Sequence, residues 1–379
     1  MELRRFISAL SSASDDVPTE PPLFPRGARP PRIVAIGGGT GLPVLLRGLR
    51  SVMFPPGQGT PPAWRRDLLT ALVTVADDGG SSGRLRRAYG ILAPGDIRNC
   101  LVALAENAQT AEIFDFRFDG SDGVAGHSLG NLILAALSRI DGRFPMAVER
   151  AGEILAIRGR VLPATGTDVR LEAQLADGRH VEGESRIAAA GGRIRHLRLV
   201  PGPAAALPEA RAALAGAELV VIGPGSLYTS LIPVLLVDGI VEEIVRSRAR
   251  VALVMNLMTE PGETDGMTAA DHVRAVLRHA PGLRIHDALL ATTPISPRRL
   301  AAYADRGARA VVADLAALRA LGCRPVRRHV LADGEKIRHD PGRLAAALIG
   351  ADAHHLGRGD HEVHSYSEVH HARQGMWRP

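Results

Sequence analysis

The stretch Ile33 to Leu42, IVAIGGGTGL, constrains the chain more than any other. Four apolar residues, Ile33 to Ile36, make a short run suited to a buried parallel strand. Gly37, Gly38, Gly39, Thr40 and Gly41 follow, and then Leu42, Val44, Leu45, Leu46 and Leu49 fall at helical spacing. Strand, glycine turn and helix in that order present backbone N–H groups and a helix N-terminus to an anion. The glycines let a ligand approach the backbone closely. Gly37, Gly38, Gly39, Thr40, Gly41 and Leu42 are therefore candidate contacts for a phosphate or nucleotide. A tight strand-to-helix turn in any α/β domain would look similar. The stretch is not a standard dinucleotide or ATP motif. A G-x-G-x-x-G needs a third glycine where Leu42 or Val44 stands, and a P-loop needs a lysine that is missing here.

The 379 residues suffice for one large α/β domain or two ordinary ones. Hydrophobic residues make up 46% and aromatics only 3%, so the core must be built from Leu, Val, Ile and Ala. No apolar run reaches the roughly 18 residues that a membrane span needs. The net charge is +6, but Lys336 is the only lysine and the arginines are scattered. Without a dense basic stripe or aromatics to stack bases, this charge reads as a solvated surface and not a nucleic-acid site. Cys100 and Cys323 stand alone, which fits a reducing cytoplasm and argues against structural zinc.

Residues 1–30 are rich in proline, carry Asp15, Asp16 and Glu20, and read as a flexible leader and not a signal peptide. Residues 52–66 form a Pro/Gly-rich loop before a second apolar strand, Leu68 to Ala76. That strand ends in Asp77-Asp78-Gly79-Gly80-Ser81-Ser82-Gly83-Arg84. Acids at the carboxyl end of a buried parallel strand sit where open α/β sheets bind ligands. Asp77, Asp78, Ser81, Ser82 and Arg84 are candidate contacts. Asp77 and Asp78 suit sugar hydroxyls or one position on a divalent cation such as Mg²⁺. A capped turn is the plainer alternative. Pro94-Gly95-Asp96-Ile97-Arg98-Asn99 opens a further helix and adds Asp96, Arg98 and Asn99; an arginine there can grip phosphate with two hydrogen bonds, but taken alone the segment reads more simply as holding a salt-bridged surface arginine. Gly126-His127-Ser128-Leu129-Gly130-Asn131 opens another helix, capped by Ser128, and adds His127 and Asn131, although a lone His before a helix is more often structural than catalytic. No nucleophile elbow supports a hydrolase.

From about 160 to 200 the pattern changes. Val169, Leu171, Ala173 and Leu175 alternate with polar residues, and Asp177-Gly178 signals a hairpin. This predicts an antiparallel β insertion, a possible partner surface. The α/β pattern returns with the strand Leu219 to Ile222, which runs into a second glycine turn, Gly223-Pro224-Gly225-Ser226-Leu227-Tyr228-Thr229. Gly223, Gly225, Ser226, Tyr228 and Thr229 are candidates from it. A strand from Val251 to Leu257 leads to Asn256 and Thr259, and Thr268 caps a helix over Ala269 to His279. Strand and helix patterns recur until a last helix, Pro341 to Ile349. Residues 351–379 hold six histidines, which could bind a metal, but without helical spacing they read better as a disordered tail. Polar and glycine-rich strand ends converge on one crevice in a Rossmann-like, doubly wound, mostly parallel sheet. The ligand they imply is a nucleotide or nucleotide sugar.

The segments GGGTGL, VTVADDGGSSGRLR, PGDIRNCLVALA, GHSLGNL, RGRVLPAT, GPGSLYTSLIP and NLMTEPGETDG resemble the CofD/YvcK-like family over about residues 31–350, and its bacterial gluconeogenesis-factor branch above all. That resemblance implies a cytoplasmic bacterial protein of Rossmann-like fold. It would bind UDP-sugars such as UDP-N-acetylglucosamine, without an obligatory cofactor, and support cell shape and envelope precursor supply during gluconeogenic growth. A homo-oligomer and protein partners stay open. The other branch, 2-phospho-L-lactate transferase, implies transfer from a guanylated donor to a deazaflavin with Mg²⁺. Its GGTG turn and acid-containing loop correspond to Gly38 to Gly41 and to Asp77 and Asp78. Val234 and Asp238 depart from the family pattern around Leu231 to Gly239.

Overall fold

The computed structural model describes residues 30–349 apart from 55–62 and 122. The expected leader up to residue 29, the tail 351–379 and most of the loop 52–66 lie outside the described residues. Ten strands are present among the described residues. β1 (Ile33–Gly37), β2 (Leu69–Val73), β3 (Arg160–Pro163), β7 (Leu219–Ile222), β8 (Arg250–Val254), β9 (Asp287–Ala291) and β10 (Arg324–Arg328) form one sheet; β4 (Arg170–Leu175), β5 (His180–Glu182) and β6 (Ile194–Val200) form a second. The large sheet has the order β10-β9-β8-β7-β1-β2-β3 and every neighbouring pair is parallel. All five residues of β1 are buried, as are all five of β2 and all four of β7. Helices on both faces cover these strands, which is why their sequences are continuous apolar runs and not alternating ones.

Seven helices matter for the site: α1 (Gly41–Met53), α2 (Gly80–Tyr89), α3 (Gly95–Leu104), α4 (Leu129–Asp141), α5 (Glu184–Ala190), α6 (Ala269–His279) and α7 (Pro341–Ile349). α1 packs against α3 and α7. Gly48 permits the second contact, because a Cβ there would overlap the Pro341 carbonyl. Ser128 and Thr268 accept hydrogen bonds from the N–H groups of Asn131 and Asp271 and so cap α4 and α6.

From β1 the chain builds outward through β2 to β3. It then returns to the other side of β1 as β7 and builds outward again. The strand order therefore reverses between β1 and β7, and the crevice beyond their carboxyl ends is where such sheets take ligands. The opposite edge of the sheet is locked by charge. Asp287 is fully buried at the start of β9, and its carboxylate accepts from Arg250 (2.5 and 2.8 Å) and Arg324 (2.7 Å) at the starts of β8 and β10.

The antiparallel sheet has the order β5-β4-β6, with the hairpin turn at Asp177-Gly178. The insertion begins later than the expected 160. Arg160–Pro163 pairs with Thr70–Val73 as a parallel edge strand of the large sheet. Four residues are too few to display a period, so the sequence does not separate this strand from the alternating ones after it. Between β5 and β6 the insertion also contains α5.

Candidate functional site

The two glycine turns face each other at the reversal point. A Cβ on Gly41 would overlap the Pro224 carbonyl, and one on Gly38 would run into the Thr74 methyl and the Asp96 carboxylate. Glycine is required at these two positions by space alone. Gly225 is held from both sides by Asn256. Its N–H donates to Asn256 Oδ1 (3.1 Å), and Asn256 Nδ2 donates back to its carbonyl (2.8 Å). Exposed Thr40 precedes α1, and its side chain makes no capping hydrogen bond. The first N–H groups of α1 are thus left for another acceptor, as an anion site requires. Below Ser226, the π-helical turn Leu227–Leu231 buries Tyr228, Thr229 and Ser230.

Beside the glycine turns stands an acidic wall. Asp96, in the first turn of α3, accepts a hydrogen bond from the Gly39 main chain. Burial, and then the nearby Asp77 charge, push its carboxyl up to about 6, against the stabilising Gly39 N–H and Arg98. Asp77 Oδ1 accepts the Gly79 N–H (2.9 Å) and so folds the loop back on itself. Its carboxyl also meets Glu184, the first residue of α5. Burial and the Asp77 charge raise Glu184 to about 9, so it is protonated at neutral pH and donates a hydrogen bond to Asp77.

Asp78 ties the wall to the insertion. Its Oδ1 accepts the Ser185 N–H (3.0 Å), and a Cβ on Gly183 would press on its Oδ2. At its other end α5 meets the loop after β8, where Gly262 lies against the Ala188 carbonyl. α5 thus reaches from the β2 side of the crevice to the β8 side.

Most of the remaining predicted residues are held in a buried polar layer. Ser81 Oγ lies 2.8 Å from His127 Nδ1 and accepts from Asn131 Nδ2 (3.0 Å). Burial and the charges of Arg84 and Arg117 lower the His127 pKa. Ser82 Oγ accepts the Gly95 N–H (3.1 Å), joining α2 to α3. Arg84 is exposed and donates to the Ala125 carbonyl. Arg98 is buried, paired with Asp115 and bonded to Asn99 Oδ1, so both terminal nitrogens of its guanidinium face partners within the protein. Thr259 exchanges hydrogen bonds with the Arg309 main chain.

The structure therefore gathers the residues from Gly37 to Leu42, Asp77, Asp78, Asp96, Gly223, Gly225, Ser226 and Asn256 at the strand ends. Glu184 was missed from sequence, and so was Glu260, whose carboxyl is raised by burial and hydrogen-bonded to Ser226. The signal for Glu184 was present: Gly183-Glu184-Ser185 after a short strand is a helix start with an acid in its first turn.

Residues 33–331 match the family described as 2-phospho-L-lactate transferase CofD. The chain belongs to the CofD family. Among its relatives, the gluconeogenesis factor of Halalkalibacterium halodurans is 43% identical over 84% of this chain and 95% of its own length. The gluconeogenesis factor of Bacillus subtilis is 43% identical over 84% of this chain and 97% of its own. The crystal structure of a Bacillus halodurans protein of the UPF0052 family superposes with a TM-score of 0.78 at 42% identity, covering 84% of this chain and 99% of that one. As a CofD-family member the chain has the parallel α/β sheet and small antiparallel sheet described above. No described helix is long and apolar enough to cross a membrane.

Proposed function

We propose that the crevice binds a nucleoside diphosphate sugar of the UDP-N-acetylglucosamine type, and that the protein is a regulator of envelope precursor supply and cell shape. The carrying observation is the pair of glycine turns packed together at the β1/β7 reversal, with the uncapped start of α1 beside them. A diphosphate suits those N–H groups, and the hydroxyls of ribose or sugar suit the acids and Asn256. The similarity to gluconeogenesis factors supports the regulatory half of the reading. Titration calorimetry with UDP-N-acetylglucosamine tests it. Saturable binding that falls in Asp96→Ala supports it, and no binding of any UDP-sugar overturns it.

A second reading, a transferase of the phospholactate type acting on a deazaflavin, draws support from the family match and the acidic wall. Asp77 supplies the hard oxygen donors that Mg²⁺ prefers, beside the turn suited to a diphosphate. Among the described residues no three His, Cys, Asp or Glu side chains are disposed to hold a metal ion. A cation would therefore be held jointly by Asp77 and the phosphates of the ligand, where it would neutralise their charge. On this reading Glu184 keeps Asp77 in place through their hydrogen bond and the glycine N–H groups orient the donor. Mass spectrometry after incubation with deazaflavin, guanylated donor and Mg²⁺ separates the two readings: an adduct establishes the transferase, and its absence removes it.

A further inference from the structure

A second cavity opens between the insertion and the large sheet. Its volume is about 490 Å³, and it is lined by Gly192 and Arg193 from the insertion, by Tyr228 and Glu263, and by Asp271, Arg274 and Arg278 of α6. Its lining includes neither the first glycine turn nor any member of the acidic wall.

The floor holds an unpaired acceptor. Glu263 is 7% exposed; its Oε1 accepts from Thr229 Oγ1 (3.3 Å), but its Oε2 is buried without a partner. The Tyr228 main-chain N–H also acts on this carboxyl, but no donor reaches Oε2 at good hydrogen-bond geometry, and a buried carboxylate oxygen so placed carries a desolvation cost that a ligand hydroxyl would relieve. Burial, and then the neighbouring Glu260, raise this carboxyl to about 7, and a hydroxyl can serve it in either protonation state because it both donates and accepts. Tyr228, buried beside it, adds a phenol.

The mouth has the opposite character. Arg274 is paired with Asp271 (2.7 Å), but Arg193 and Arg278 have no carboxylate partner among the described residues. Both are exposed, and both also line a wider groove of about 650 Å³ that runs over β6 past Arg195 and His196. Two such guanidinium forks at one opening suit the oxygens of a phosphate monoester.

We propose that this cavity is a separate binding site for a small phosphorylated sugar or polyol, with the phosphate at Arg193 and Arg278 and the hydroxyls on Glu263 and Tyr228. Its walls come from both the insertion and α6, so an occupant would bridge the two. The site is independent of the nucleotide-sugar reading, because the residues that carry it lie outside the crevice.

The test is titration calorimetry on the full chain with glucose 6-phosphate, inorganic phosphate and glucose. Glucose 6-phosphate should bind saturably and more tightly than inorganic phosphate, and glucose should not bind at the same millimolar concentrations. The double variant Arg193→Ala/Arg278→Ala, confined to the surface, should weaken glucose 6-phosphate roughly tenfold or more, the effect expected for lost charge-assisted hydrogen bonds. Glu263→Gln, which keeps the shape and a group for Thr229, should remove the preference for glucose 6-phosphate over phosphate. UDP-N-acetylglucosamine binding, measured in parallel, should be unchanged in the double variant. No heat with glucose 6-phosphate, equal affinity for it and for phosphate, or full affinity in the double variant would each overturn the proposal.

Discussion

Asp78 accepts the main-chain N–H of Ser185 at 3.0 Å, so an acid at the end of β2 caps a helix that belongs to the insertion. Gly183, the residue in the N-cap position, has no side chain with which to do so. The cap is supplied across the crevice, and the position of α5 over the strand ends depends on it.

Asp78→Ala should therefore loosen α5 before it affects anything else. Loss of a helix cap costs about 1 kcal/mol, and amide exchange over residues 184–190 should accelerate accordingly, with exchange in β1 and β7 unchanged. Asp78→Asn, which keeps an acceptor oxygen, should restore most of the protection. Equal exchange in the alanine variant and the wild type would show that α5 is held by its packing alone.

Glu184 makes stability depend on pH in a definite direction. Its carboxyl titrates near 4.5 when unfolded and is raised to about 9 by burial and the Asp77 charge. Between those values the folded chain keeps a proton that the unfolded chain has released. Stability is then full below the lower value and falls as pH rises towards the upper one. Discounted for partial exposure, the fall should be roughly 1–3 kcal/mol. Glu184→Gln should flatten the profile and raise the melting temperature at alkaline pH, as read by denaturation across that range. A wild-type profile that rises with pH would contradict this assignment.

The glycines divide into those fixed by space and those fixed only by conformation. Gly41→Ala would drive a methyl into the Pro224 carbonyl and separate the two turns. It should cost at least about 2 kcal/mol and abolish ligand binding. Gly80 has φ +43, and a methyl added there would meet nothing within 4 Å. Gly80→Ala should cost only about 1 kcal/mol of backbone strain and leave affinity intact. Chemical denaturation and calorimetry on the two variants provide the comparison.

Asp287 offers the reverse control. Removing its carboxylate leaves Arg250 and Arg324 facing each other at the amino ends of the strands. Asp287→Ala should destabilise by about 1–3 kcal/mol, less than breaking a fully buried ion pair because both arginines are partly exposed. Because this cluster lies at the opposite edge of the sheet, ligand affinity below the melting temperature should not change. A large change in affinity would mean that the two edges are coupled.

What the sequence made legible was local. IVAIGGGTGL, LTALV and LVVI are apolar runs that end in glycine or acid, and helices on both faces of a sheet leave little else for such runs to be. The caps of Ser128 and Thr268 lie three residues from their partners and were equally readable. The insertion's helix was harder, because ESRIAAA buries only Ile187 and shows no apolar stripe. Arg98 reads either as a phosphate grip or as a salt-bridged arginine, and the sequence does not show which acid would pair with it. Its partner Asp115 lies at the end of another helix and meets it only in the folded chain. The acidic wall was half visible in Asp77, Asp78 and Asp96. Glu184 joins it from a segment whose strand-like alternation pointed elsewhere.

The contact between Gly41 and Pro224 has a consequence for biosynthesis. Its two members come from opposite halves of the chain, so a ribosome that has finished β1, β2 and the acidic loop has made only one side of the cradle. A nascent or truncated chain that stops before β7 keeps the GGGTGL turn without its facing wall. Ligand cannot template the early stages of folding; it can stabilise only a polypeptide that has been translated past the second turn. An occupant of the crevice would meet both walls only on a chain translated past β7.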